Sequence, residues 1–123
     1  MGKGDVLNEL EEMTKAVRKF CEDRDWDQFH TPKELAIGLV TEASELLDIF
    51  RFQTDEQIKI LLEESNSREK IEDEVADILF FLLRFAQKNN MELPQILLRK
   101  LEKNHQKYPI EKAKASNKKY TEL

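Results

Sequence analysis

Between Ile71 and Ala86 the chain sets Ile71, Val75, Ile78, Leu79, Leu82, Leu83 and Ala86 at intervals of three and four, its widest apolar arc. So broad an arc predicts a central helix with neighbours on more than one side. Other helices of the chain, or a second copy of it, must cover that surface. Composition leads the same way: three glycines and three prolines in 123 residues supply too few turns for a many-stranded sheet and no glycine-rich phosphate loop. The expected fold is therefore all-α, a bundle of about five helices completed by oligomerisation. Residues 1–123 make one domain's length of chain, with an irregular Lys-rich tail from about 110.

The remaining elements follow from periodicity and caps. Leu7, Leu10, Met13, Val17 and Phe20 form one stripe over about 5–23. Thr31-Pro32-Lys33-Glu34 reads as a capping box with proline at the first helical position, so a second helix starts near Pro32. Its stripe is Leu35, Leu39, Ala43, Leu46, Leu47 and Phe50, and it ends near Phe52 because Thr54-Asp55-Glu56-Gln57 is a second cap sequence. A short helix covers about 55–64, and Ser65-Asn66-Ser67 reads as turn and cap before the central helix. Asn89-Asn90 stops that helix, and Pro94 opens a fifth one, carried by Ile96, Leu97, Leu101 and Tyr108 as far as Pro109.

The net charge of −5 makes a nucleic acid polymer a poor partner. The longest apolar run, Ile78 to Leu83, is far shorter than the roughly 20 residues that span a bilayer, so no membrane partner is expected. A single cysteine, Cys21, and no signal-like N-terminal stretch make the cytoplasm the expected compartment.

Acidic pairs three residues apart occur six times, and about five are expected by chance at this acidic content. Spacing alone therefore carries nothing; position around the helix does. Glu42 falls between Leu46 and Ile49, and Glu74 between Phe81 and Phe85, so both carboxylates are expected to be partly desolvated. Their i+3 partners, Glu45 and Asp77, add like charge and raise the cost. A divalent cation held by oxygen ligands, Mg²⁺ or Mn²⁺, resolves the conflict, as would protonated or salt-bridged structural carboxylates.

Other chemistries fare worse. A di-iron bundle wants Glu-x-x-His on two helices, and His30 and His105 stand elsewhere. Cys21 borders the first stripe and reads as a small buried hydrophobe rather than a nucleophile. The segment Trp26-Asp27-Gln28-Phe29-His30 joins aromatic, amide and carboxylate groups just before a helix, a set suited to stacking on and hydrogen-bonding a nucleobase; Phe29 suits a hydrophobic staple equally well.

Glu42-x-x-Glu45 followed by Glu74-x-x-Asp77 resembles the E-x-x-E, E-x-x-D signature of the MazG-like all-α nucleoside triphosphate pyrophosphatases. Arg24 to His30, the Tyr108-Pro109 pair and Lys119-Tyr120-Thr121-Glu122-Leu123 extend the resemblance to the dCTP pyrophosphatase branch, over about residues 20–123. The resemblance implies a homo-oligomer, usually a tetramer built as a dimer of dimers. It also implies hydrolysis of dCTP or a related pyrimidine triphosphate to monophosphate and pyrophosphate. Glu42, Glu45, Glu74 and Asp77 would be the catalytic, Mg²⁺-holding groups. Trp26, Asp27, Gln28, Phe29 and His30 would line the base pocket with Phe52 and Phe81. Asn104 and Tyr108 would contact sugar or phosphate, and Lys119 and Tyr120 would close from the tail. Where vertebrate members of that branch carry a pocket Trp, Tyr and His, this sequence has Phe52, Phe81 and Val17, which predicts relaxed discrimination between pyrimidines. The competing expectation is a non-catalytic acidic helical interaction module, which predicts no hydrolysis.

Overall fold

The computed structural model describes residues 3–123, with side chains from Glu9 onward, so Leu7 of the first stripe lies outside the described side chains. One compact unit ends at Asn90, and a second runs from Met91 to Leu123. The first holds α1 (Lys3–Asp23), a 3₁₀ turn (Asp27–Phe29), α2 (Pro32–Phe50), α3 (Asp55–Glu63) and α4 (Ser65–Lys88). The second holds α5 (Leu93–Lys107), the single turn α6 (Ile110–Ala113) and a 3₁₀ turn (Tyr120–Glu122), so helical turns punctuate the stretch read as irregular. The chain is all-α, with no strand among the described residues. None of the described helices is long and apolar enough to cross a membrane.

The caps explain the element boundaries. At Thr54 the box is complete: the Gln57 amide donates to Thr54 Oγ1 at 3.2 Å, and Gln57 Oε1 accepts from the Thr54 amide at 2.9 Å. At Thr31 only half of it forms, with Oγ1 accepting from the Glu34 amide at 3.3 Å, while Pro32 takes the first helical position. Ser65, Asn66 and Ser67 are not a turn as expected; they are the first residues of α4. The break is one residue, Glu64, in extended conformation, after which Ser67 Oγ donates back to the Leu61 and Glu64 carbonyls. A serine satisfied by the preceding helix leaves α3 and α4 nearly continuous in sequence. At the far end Asn89 caps α4 and Asn90 takes φ 55°, a left-handed conformation that asparagine tolerates well.

Within the first unit α4 is central, packing on α1, α2 and α3, with α2 as its main partner. Cys21, Leu35, Ile71, Leu83 and Ala86 are buried. Other residues of the expected apolar stripes are exposed among the described residues. Ile37, Val40 and Leu47 on α2 and Val75, Leu79 and Leu82 on α4 remain exposed, Val40 by 64%.

Candidate functional site

The α2/α4 contact sets Glu42 and Glu45 opposite Glu74. Each of the three offers a carboxylate oxygen within 4.8 Å of the others. Asp77, one turn beyond Glu74, is not in that tight group but lines the same cleft as Glu42. Glu42 and Glu74 are half-buried, as their places between apolar residues predict, and one oxygen of each, Oε2, is fully buried with no hydrogen-bond partner. Burial, then the neighbouring Glu45 and Glu74 carboxyls, then the charges of Glu45 and Asp77 push Glu42 up to about 7. Glu74 is raised as well, by burial first and by the charges of Glu45 and Asp77. Two buried oxygens without hydrogen-bond partners among converging carboxylates make a donor set that could hold a metal ion.

Beside the carboxylates lies a cleft of about 450 Å³ lined by Ala16, Val17, Phe20, Trp26, Phe80 and Phe81, with Glu42 and Asp77 as its charged members. Its wall is a relay of edge-to-face rings. His30 meets Trp26 at 5.9 Å between centroids, Trp26 meets Phe20 at 5.6 Å, Phe20 meets Phe80 at 5.8 Å, and Phe80 meets Phe81 at 5.4 Å. The end of α1 delivers Trp26: Asp25 takes φ 52°, and the Trp26 amide then donates to the Cys21 carbonyl at 3.0 Å. Cys21 beneath it is buried, which pushes its thiol up and leaves it a packing residue.

Of the residues expected around the base, Trp26 and Phe81 line this cleft. Phe29 and Phe52 are exposed side chains outside its lining, and the Arg51 guanidinium stands 4.9 Å over the Phe52 ring. Gln28 donates back to the Asp25 carbonyl. Asp27 and His30 are engaged by a residue not anticipated, Arg84 of α4, which donates to Asp27 Oδ1, to His30 Nδ1 at 2.8 Å and to Gln87 Oε1 at 2.6 Å. The Arg84 hydrogen bond holds Asp27 below the usual carboxylate range. Burial and then the Arg84 charge depress His30, which fits a neutral imidazole accepting at Nδ1. The signal was in the sequence: Arg84 interrupts the widest apolar arc just as Glu74 does, and an interrupting charge is either buried with partners or functional.

In the second unit Tyr108 and Tyr120 meet edge to face at 6.1 Å, and the Lys107 ammonium lies 4.9 Å over the Tyr120 ring. Asn104 is half-buried and Lys119 exposed; the Asn104 carbonyl accepts from the Tyr108 amide at 2.8 Å. Lys103, Lys107, Lys112 and Tyr120 line a cleft of about 480 Å³ in this unit.

Fold and site together define a helical protein organised on paired carboxylates contributed by two packed helices. The model of the MazG-like family matches residues 37–123, and the chain belongs to that family. It is similar to dCTP pyrophosphatase 1 of Bos taurus and of Homo sapiens. Each is 34% identical over 114 residues, which cover 93% of this chain and 68% and 67% of those proteins respectively. Among solved structures it resembles a pyrophosphatase from Archaeoglobus fulgidus, with TM-score 0.74 and 35% identity over 82% of this chain and 93% of that one.

Proposed function

We propose that this chain is a Mg²⁺-dependent nucleoside triphosphate pyrophosphohydrolase, acting on dCTP or a related pyrimidine deoxynucleotide and releasing the monophosphate and pyrophosphate. The observation that carries this reading is the pair of buried, unpartnered oxygens, Glu42 Oε2 and Glu74 Oε2, beside an aromatic cleft. Glu42, Glu45, Glu74 and Asp77 are the residues that would hold Mg²⁺, or Mn²⁺. When bound, the ion supplies charge neutralisation for the phosphates and acidity for an attacking water. The chain's own part is positioning. Trp26 and Phe81 offer ring faces to a pyrimidine, and Glu42 and Asp77 place the charged end of the same cleft beside it. Val17, Phe20, Phe80 and Phe81 bring no side-chain hydrogen bond to the cleft, which favours selection by shape over selection by polar contacts. Asn104, Tyr108, Lys119 and Tyr120 are assigned to the sugar and phosphates on the family resemblance.

The active form is proposed to be a cytoplasmic homo-oligomer, a tetramer arranged as a dimer of dimers. Ile37, Val40 and Leu47 on α2 and Val75, Leu79 and Leu82 on α4, all exposed, support this, because two packed helices seldom leave so many large apolar side chains in water. Light scattering is expected to give a multiple of 14.6 kDa. The function itself is tested by a pyrophosphate-release screen over the eight common nucleoside triphosphates and 5-methyl-dCTP, with and without Mg²⁺. Metal-dependent release favouring pyrimidine deoxynucleotides is expected; no release from any of them supports the interaction-module alternative.

A further inference from the structure

Arg84 is the one buried charged residue among the described side chains, 1% exposed, yet it does not serve the carboxylate cluster. Its guanidinium uses three nitrogens on three side chains: Nε donates to His30 Nδ1, Nη2 to Asp27 Oδ1 and Nη1 to Gln87 Oε1. Gln87 is itself anchored, since its Nε2 donates to the Thr14 carbonyl of α1 at 2.8 Å. Lys88 Nζ reaches the Asp27 carbonyl at 3.4 Å. One side chain of α4 thus holds both ends of the turn 27–30 and ties it, through Gln87, to α1. Burying a guanidinium is strongly unfavourable unless it is fully paired, and leucine would fill a core position of this kind at less cost if packing were all that mattered. The residue that benefits is Trp26, which precedes the turn, touches the His30 ring and lines the cleft while 36% exposed.

We propose that Arg84 is a positioning residue for substrate recognition: its fork fixes the Asp27–His30 turn so that Trp26 keeps one orientation in the cleft before substrate arrives. The proposal rests on the functional reading above only for its kinetic consequence. A fixed ring loses less freedom when a base stacks on it, so the effect falls on binding rather than on the chemical step. Lysine cannot replace arginine here, because an ammonium on a flexible stem does not reach three partners in the planar fork geometry.

Trp26 is the only tryptophan, so its fluorescence reports on this turn alone. Two variants are compared with the wild type, Arg84→Lys and Asp27→Ala, the second at a half-exposed carboxylate whose loss does not open the core. In folded Arg84→Lys the acrylamide quenching of Trp26 is expected to rise about twofold and KM for dCTP about tenfold, with kcat within about twofold. Asp27→Ala is expected to move both in the same direction by less. Wild-type quenching and KM in both variants, with helical circular dichroism retained, would overturn the proposal. If Arg84→Lys does not fold, Asp27→Ala decides by the same two readouts. A wild type that hydrolyses no nucleotide defeats the functional reading, and the quenching comparison still decides whether Arg84 holds Trp26.

Discussion

Phe81 of α4 lies against the backbone of α2 at Gly38, so close that a Cβ there would overlap Phe81 Cε1 and stand 2.6 Å from Cζ. Gly38 therefore sets how far one wall of the cleft can lean back. Alanine would gain about 1 kcal/mol of helix propensity, but overpacking costs about 1–3 kcal/mol, and the ring can escape only by swinging. Gly38→Ala is expected to lower Tm and to raise KM for dCTP by crowding the cleft. The double variant Gly38→Ala/Phe81→Leu recovers Tm, and thermal melts with initial-rate kinetics check both.

The carboxylate cluster predicts an inverted pH dependence for the protein in chelator. Glu42 sits at about 7 when folded, above its ordinary 4.5, so the folded state binds the proton more tightly than the unfolded chain. The stability this contributes is complete below pH 4.5 and is lost as pH rises through about 7. Melts in EDTA between pH 5.5 and 8 are expected to show Tm falling with pH, by about a few degrees. Glu42→Gln removes most of that slope and raises Tm at pH 8.

Trp26 makes ring contacts on both sides but is not a core residue, being 36% exposed. Trp26→Ala is accordingly expected to raise KM by roughly one to two orders of magnitude, the worth of one stacked base, with kcat and Mg²⁺ affinity little changed. A Tm loss on the scale of a buried tryptophan, with KM unchanged in the folded fraction, would assign Trp26 to packing instead.

Much of this was legible in the sequence because helix periodicity is local. Three-and-four spacing marks the main helices, and the apolar neighbours of Glu42 and Glu74 on their helices account for one oxygen of each lying out of water. What escaped was decided by contacts between elements. Nothing local in Gly38 announces that Phe81 of α4 needs its missing Cβ, and Arg84 meets Asp27 and His30 across more than fifty residues. Phe52 and Phe29 have the right chemistry for a base pocket, but side-chain type cannot tell which way a helix end or a short turn presents it. The exposed α2 and α4 stripes show the limit of periodicity: it marks what must be covered without naming what covers it.

The α2/α4 carboxylates are proposed as a metal site needed for pyrophosphohydrolysis and not for folding. Glu74→Gln tests it directly, because it removes one ligand charge and almost no volume. At saturating dCTP and Mg²⁺ its pyrophosphate release is expected to fall by about three orders of magnitude or more, with helical circular dichroism unchanged and Tm in chelator equal to or above the wild type. Mg²⁺-dependent release at the wild-type rate from folded Glu74→Gln would rule out the carboxylate cluster as the metal site.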